Sequence, residues 1–141
     1  MRLVLDTNVV LDLLVFRDPG AAPLRAAIEA GRVAILTSAE CLIELRRVLD
    51  YPEFKLDEAA QAEACDWFVA HAEILDTPDP EPLLPRCRDT DDQKFLDLAW
   101  IADVEHLVTK DKALLELARR VAKLGRFAVT PPADLTKRLP S

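Results

Sequence analysis

The chain has 141 residues, of which 50% are hydrophobic and 30% are charged, and its formal net charge is −7. A chain of this length can bury one hydrophobic core, so we expect a single domain spanning residues 1–141. No apolar run approaches the ~18 residues of a membrane-spanning helix, and the net acidity argues against a broad nucleic-acid-binding surface.

The first strand is predicted at residues 2–5, because the run from Leu3 to Leu5 is typical of a strand buried on both faces of a parallel sheet. Asp6, Thr7 and Asn8 follow it directly. In open α/β sheets, ligands bind at the carboxyl ends of the strands. A carboxylate at this point, followed by two small polar groups, is therefore well placed to hold a cation.

Apolar periodicity and turn residues divide the remaining chain into alternating helices and strands. Helices are predicted at 9–16, 21–30, from 39 to the Tyr51-Pro52 pair, 56–71, 93–102 and 113–124. Strands are predicted at 33–36, 73–75, 106–108 and 127–129, with a turn at Thr37-Ser38, a loop at 76–85 and a tail from Thr130. This alternation predicts an α/β fold in which helices cover both faces of a parallel sheet.

Cysteine usage and the position of the first strand predict the cellular compartment. Cys41, Cys65 and Cys87 are an odd number of cysteines without metal-ligand spacing, which favours reduced thiols in a cytoplasmic protein. A strand that begins at residue 2 leaves no room for a signal peptide, so none is expected.

Four carboxylates are predicted to reach the same edge of the sheet. Asp6 follows the first strand, Glu44 lies in the helix after the second, Asp92 begins a helix, and Asp111 follows the strand at 106–108. Crowded carboxylates repel one another unless a cation lies between them. Oxygen ligands without Cys or His favour Mg²⁺ or Mn²⁺, which act on substrate phosphates.

Other polar residues near these acids suit supporting roles. The small residues Thr7, Asn8 and Thr109 are suited to orienting ligands or waters. Lys110 and Lys112 are candidates for contacting a phosphate, although Lys110 equally fits an ordinary surface position. The basic residues that cluster after Arg86 fit either a solvated helix face or a phosphate-steering patch.

Two of the four acidic positions have neighbours that could take their place. Asp89 and Asp91 stand beside Asp92, which is preferred because it begins the helix whose next turns are apolar. Glu40 competes with Glu44, and helical spacing alone does not separate these two residues.

At these residues the sequence resembles the PIN-domain family of metal-dependent ribonucleases, and its VapC-like bacterial toxins in particular. The resemblance spans nearly the whole chain. It is carried by Leu5-Asp6-Thr7-Asn8, by Glu44-Leu45 with Val48-Leu49, by Arg88-Asp89-Thr90-Asp91-Asp92 through Phe95-Leu96 to Ala99, and by Leu107-Val108-Thr109-Lys110-Asp111 with Leu114-Leu115.

This resemblance implies a Rossmann-like three-layer α/β/α sandwich that cleaves RNA with Mg²⁺ or Mn²⁺ and leaves a 5′-phosphate. It also implies a homodimer and inhibition by a cognate antitoxin protein. The family's acidic positions fall on Asp6, Glu44, Asp92 and Asp111, with Asp6, Asp92 and Asp111 as metal ligands.

Two other functions are compatible with this α/β pattern. A receiver-like module would also hold Mg²⁺ at an acidic strand end, but it needs adjacent acids after the first strand, where this chain has only Asp6. A partner-binding protein with a decayed site is disfavoured because all four acids are present. The chain has three glycines and neither a glycine-rich phosphate loop nor a G-x-S-x-G motif.

Overall fold

The computed structural model describes residues 1–141 and contains one parallel sheet of five strands in the order β3-β2-β1-β4-β5. The strands are β1 (Arg2–Leu5), β2 (Ala34–Ser38), β3 (Ala72–Leu75), β4 (His106–Val108) and β5 (Ala128–Thr130). As predicted, β1 lies in the middle of the sheet, and its three apolar residues are buried.

Eight α-helices connect and cover the strands. They are α1 (Thr7–Leu14), α2 (Ala22–Glu29), α3 (Ala39–Leu49), α4 (Glu58–His71), α5 (Gln93–Ile101), α6 (Lys112–Leu115), α7 (Ala118–Lys123) and α8 (Pro132–Thr136). Short 3₁₀ turns lie at Pro19–Ala21, Pro52–Phe54 and Thr90–Asp92. No helix is long and apolar enough to cross a membrane.

The hydrophobic core consists of two clusters separated by the sheet. Leu3 and Leu5 belong to the cluster that includes residues of α1, α2 and α4, whereas Val4 belongs to the cluster that includes residues of α5, α6 and α7. Successive residues of a strand point to opposite faces, so β1 anchors both helix layers. The predicted three-layer α/β/α sandwich is therefore confirmed.

The order of the strands creates a switch point between β1 and β4. The chain leaves β1 for β2 on one side of the sheet, whereas β4 continues to β5 on the other side. Ligand sites of open α/β sheets lie at such a point, outside the carboxyl ends of the strands. Here Asp6 follows β1, and its backbone N–H donates to the carbonyl of Val108 at the end of β4, over 3.1 Å.

Three predictions about secondary structure were wrong. Thr37-Ser38 is not a turn but the end of β2, because these residues pair with Ile74 and Leu75 of β3. Ser38 also caps α3 by accepting the N–H of Cys41. Strand pairing with a distant segment extends β2, and residues 37 and 38 do not encode that pairing locally.

The other two differences lie near the C-terminus. The helix predicted at 113–124 is divided into α6 and α7, since the N–H of Leu117 donates three residues back to Leu114 and tightens the chain there. The predicted tail from Thr130 instead ends β5 and enters α8, whose Leu135 is buried in the core.

Cys41, Cys65 and Cys87 are all free thiols, and two of them, Cys41 and Cys87, are buried. Burial raises the pKa of the Cys41 thiol to about 11, which keeps this thiol protonated and unreactive at neutral pH.

Candidate active site

An acidic cleft lies at the switch point, where the start of α1, the middle of α3, the 89–92 turn and the start of α6 meet. It is lined by Asp6, Thr7, Asn8, Leu11, Glu44, Arg47, Val48, Tyr51, Glu53, Phe54, Asp89, Asp91, Asp92, Phe95 and Asp111. The four acids predicted from the sequence are thus brought together. Two of the alternative residues, Asp89 and Asp91, line the same cleft, whereas Glu40 does not.

Asp6 is fixed at the bottom of the cleft by hydrogen bonds to both of its oxygens. Its Oδ1 accepts the N–H of Val9 over 3.0 Å and so caps α1, while its Oδ2 accepts the hydroxyl of Thr109. Asp6 is 4% exposed and Thr109 is fully buried. Burial raises the pKa of Asp6, and the bonds from Thr109 and Val9 oppose that shift.

Thr109 also connects Asp6 to a second acid. Its Oγ1 accepts the N–H of Asp111 over 3.0 Å, and the Asp111 side chain in turn caps α6 by accepting the N–H of Ala113 over 2.7 Å. Thr109 therefore contacts both Asp6 and Asp111. Its buried hydroxyl sets the relative positions of Asp6 and Asp111.

The closest group of carboxylates consists of Asp89, Asp92 and Asp111. Each offers one oxygen, and these three oxygens all lie within 4.8 Å of one another. Asp89 enters this group, although the sequence offered it only as an alternative to Asp92. The arrangement is an all-oxygen ligand set of the type that hard divalent cations prefer.

Asp92 shows the electrostatic conflict in this group most clearly. Its Oδ2 is buried without a hydrogen-bond partner. Burial raises the pKa of Asp92 to about 8, helped by the Asp111 carboxylate, which would accept a hydrogen bond from protonated Asp92, and by repulsion from Asp111, Asp89 and Asp6. Either a proton or a cation between Asp92 and Asp111 would satisfy the orphaned oxygen, so these residues fit a divalent metal ion.

Glu44 faces the cleft from α3 and is held there by three groups. Its Oε1 is 2.8 Å from Nζ of Lys94 and 3.9 Å from Nη2 of Arg47, and its Oε2 accepts the hydroxyl of Thr7. The side chains of Glu44 and Lys94 are only 13% and 12% exposed. Burial alone would lower the pKa of Lys94, but the hydrogen bond and attraction from Glu44 raise it above its ordinary value.

Removing the Lys94 ammonium should therefore destabilise the protein. We expect Lys94→Met to lower the free energy of unfolding by about 2 kcal/mol, since Glu44 would be left half-paired in a desolvated position. Urea denaturation of Lys94→Met, Glu44→Gln and the double variant measures this effect. The Lys94→Met cost should fall below about 1 kcal/mol in the Glu44→Gln background. An equal cost in both backgrounds would show that Lys94 stabilises through packing alone.

The predicted phosphate-contacting lysines lie elsewhere. Lys110 Nζ is 2.5 Å from Oδ2 of Asp12 on α1, and neither Lys110 nor Lys112 lines the cleft. Glu40 is exposed and borders a separate polar recess. Of the predicted supporting residues, Thr7 and Asn8 line the cleft, and Thr109 lies beneath it.

Sequence reasoning missed Lys94 and Arg47, which supply the positive charge beside the acids. Only Arg47 could have been found from helical spacing. Arg47 lies three residues after Glu44 on α3, and Lys94 lies in the first turn of α5, two residues after Asp92. The contact of Lys94 with Glu44, 50 residues apart in sequence, depends on the packing of α3 against α5.

Comparison with known proteins agrees with this architecture. The sequence profile of the PIN domain matches residues 2–113, a range that contains all the carboxylates of the cleft. No curated protein sequence matches the chain.

Two solved structures share the fold at low sequence identity. One is a chain of VapBC2 from Rickettsia felis bound to a DNA fragment from their promoter, with a TM-score of 0.59, 15% identity, and coverage of 93% of this chain and 98% of that chain. The other is PAE2754 from Pyrobaculum aerophilum, with a TM-score of 0.63, 20% identity, and coverage of 99% and 89%.

Proposed function

This chain belongs to the PIN domain family, and we propose that it is an endoribonuclease that uses Mg²⁺ or Mn²⁺ to hydrolyse RNA phosphodiester bonds. The observation that carries the proposal is the buried, unpartnered oxygen of Asp92 within a group of three carboxylates at the switch point of the sheet. Carboxylates that repel one another this closely in the absence of a cation are typical of a metal centre rather than of structural helix caps.

The acids divide into two roles. Asp92 and Asp111, together with Asp6 or Asp89, would hold the cation. When bound, the cation would neutralise charge on the scissile phosphate and make a water molecule more acidic. Glu44 lies across the cleft and is fixed by Lys94 and Thr7, so we assign it the task of orienting that water or accepting its proton.

We also propose the biological setting that the family resemblance implies. Residues 1–141 would act as a single nuclease domain, in the cytoplasm and as a homodimer, and would be the toxin of a toxin–antitoxin pair. Structural likeness to a chain of the VapBC2 complex supports this setting, and the small antitoxin would be a protein partner.

A receiver-like phosphate acceptor is not supported by the topology. Receiver modules of the CheY type have the strand order 2-1-3-4-5, whereas this sheet has the order β3-β2-β1-β4-β5. The lysine that would contact a phosphorylated aspartate, Lys110, instead pairs with Asp12 outside the cleft.

Thermal melting in chelator and in millimolar Mn²⁺ or Mg²⁺ tests the metal site without assuming a substrate. Metal at about a hundred times its Kd should stabilise the wild type by about 2.7 kcal/mol. The stabilisation should be much smaller in Asp92→Asn and Asp111→Asn. Asp57→Asn is a matched control, since Asp57 caps the start of α4 and does not line the cleft.

Cleavage assays on RNA then test the activity, with the 5′-phosphate of the product as the chemical signature. If metal stabilises all four proteins equally, or if the wild type loaded with metal cleaves no RNA, the proposal is wrong.

A further inference from the structure

A second cavity, of about 330 Å³, borders a different face of α1 from the acidic cleft and shares no residue with it, and we call it the proline cavity. It is lined by Val9, Asp12, Asp18, Gly20, Ala21, Leu24, Lys110, Pro131, Pro132, Ala133 and Thr136. Its volume falls within the range of roughly 300–1,000 Å³ that is typical of small-molecule sites. A few charged groups among mostly apolar walls are also typical of such sites.

The apolar walls of the proline cavity are held in place by the core and by backbone restriction. Val9 and Leu24 belong to the hydrophobic core. On the opposite wall, Pro131 and Pro132 restrict the backbone where it enters α8, and Leu135 of the same helix is 1% exposed and packs into that core. A preformed apolar cavity binds a ligand at a low cost in conformational entropy.

Part of the proline cavity lies outside the segment that matches the PIN domain. The match ends at residue 113, whereas the wall at 131–136 comes from the end of the chain. The proposed metal and nuclease chemistry uses none of the residues that line this cavity. A function for the proline cavity would therefore be separate from the function of the acidic cleft.

The charged side chains of the proline cavity leave an uncompensated negative charge. Nζ of Lys110 is 2.5 Å from Oδ2 of Asp12, so these two groups neutralise each other. Asp18, by contrast, is exposed and has no basic partner. Its Oδ1 accepts the N–H of Gly20 over 2.9 Å. A cationic ligand is favoured over an anionic one, because Asp18 would repel an anion and Lys110 is already paired.

We propose that the proline cavity binds a small organic amine that carries a compact apolar body. The apolar body would lie against Val9, Leu24 and the proline wall, and the ammonium group would lie beside Asp18. Burial of the apolar body would supply most of the affinity, and the exposed carboxylate would add a modest attraction that selects the cation. This inference goes beyond the proposed ribonuclease function and does not depend on it.

Titration with phenethylamine tests the proposal in the full chain, with chelator present and with the methyl groups of Val9 and Leu24 observed by NMR. We expect both methyl signals to shift with a Kd on the order of 1 mM, given the small size of the probe. 3-Phenylpropionate, which keeps the ring and reverses the charge, should bind at least about five-fold more weakly. Methylamine, which keeps only the ammonium group, should leave the signals unchanged.

Two substitutions test where the probe binds. Asp18→Asn keeps an oxygen for the N–H of Gly20 and should raise the Kd about five-fold. Ala133→Leu adds volume to the wall of the cavity and should raise the Kd roughly ten-fold. The matched controls are Asp57→Asn, at another capping aspartate, and Ala122→Leu, at another exposed helical alanine. Neither control residue lines the cavity, so both variants should keep the wild-type Kd.

Asp92→Asn separates the proline cavity from the acidic cleft, whose carboxylates also attract amines. An unchanged Kd in Asp92→Asn supports binding in the proline cavity. A Kd that rises in Asp92→Asn but not in Asp18→Asn would place the amine in the cleft and overturn the proposal. Equal affinity for 3-phenylpropionate, or unmoved signals of Val9 and Leu24 at saturating phenethylamine, would also overturn it. None of these measurements requires RNA cleavage, so failure of the ribonuclease proposal would leave this inference unaffected.

Discussion

Asp92→Asn is expected to lower RNA cleavage by roughly a hundred-fold or more and, at the same time, to make the metal-free protein more stable. The lost activity follows from removal of a proposed metal ligand. The gained stability follows from removal of a buried negative charge beside Asp111 and Asp89, and an asparagine amide can donate to Asp111 where the carboxylate cannot. Urea denaturation in chelator and cleavage with Mn²⁺ measure the two effects on the same preparations.

The size of the stabilisation should depend on pH. The pKa of Asp92 is raised to about 8 by burial and by its acidic neighbours, from an ordinary value of 3.8. Between these two values the folded protein keeps a proton that the unfolded chain releases, so the stability of the metal-free wild type falls as pH rises through this window. Above pH 8 the loss is complete, and we expect Asp92→Asn to exceed the wild type there by about 2 kcal/mol, since water in the cleft screens part of the repulsion.

The outcome that would contradict this account is a stability of Asp92→Asn below that of the wild type at pH 8 in chelator. Asp92 would then act as a structural group of the 3₁₀ turn, and its repulsion from Asp111 would be relieved by means other than a metal. Asp57→Asn again serves as the control, because the Asp57 carboxylate caps α4 and does not line the acidic cleft.

Asp6 should separate catalysis from folding when two substitutions are compared. Asp6→Asn and Asp6→Ala are both expected to abolish cleavage. The free energy of unfolding of Asp6→Ala should be about 2–3 kcal/mol lower than that of Asp6→Asn. Asparagine keeps an oxygen to cap the N–H of Val9 and an amide to meet the Thr109 hydroxyl, whereas alanine leaves both groups buried and unpaired. Urea denaturation in chelator gives the difference.

This comparison has an internal control in Thr109→Val. Thr109 is fully buried, and its hydroxyl bonds both to Asp6 and to the N–H of Asp111. Thr109→Val should therefore destabilise the wild type more than it destabilises Asp6→Ala, because Asp6→Ala has already lost the carboxylate that Thr109 contacts. Equal stabilities of Asp6→Asn and Asp6→Ala would show that the cap and the Thr109 bond contribute little, contrary to their burial.

Under the proposed function, the acids needed for metal binding destabilise the metal-free protein, and neighbouring residues stabilise most of these acids. Thr109 holds Asp6 from below, Lys94 holds Glu44 from α5, and Arg88 ties the chain beside Asp89 to Glu116 over 3.1 Å. The Asp92 oxygen lacks such a support. That asymmetry is the physical basis for proposing that a cation binds there.

Much of the fold could be predicted from the order of residues in the sequence. The apolar run at Leu3–Leu5 marks a central strand because a strand buried on both faces needs no polar alternation, and Asp6 follows it at the strand end. The alternation of strands and helices forces the strands to be parallel, which brings their carboxyl ends to one edge. The presence of Asp6, Glu44, Asp92 and Asp111 in one cleft follows from that topology.

Tertiary structure alone decided which side chains touch. Glu40 and Glu44 share a helix, but the packing of α3 against α5 places only Glu44 on Lys94 and in the cleft. Asp89 lies close to Asp92 and Asp111, whereas Lys110 pairs with Asp12 outside the cleft. These choices depend on distances between segments dozens of residues apart, which local patterns of polarity do not encode. Local sequence therefore determined the elements and their direction, whereas packing between distant elements determined the site.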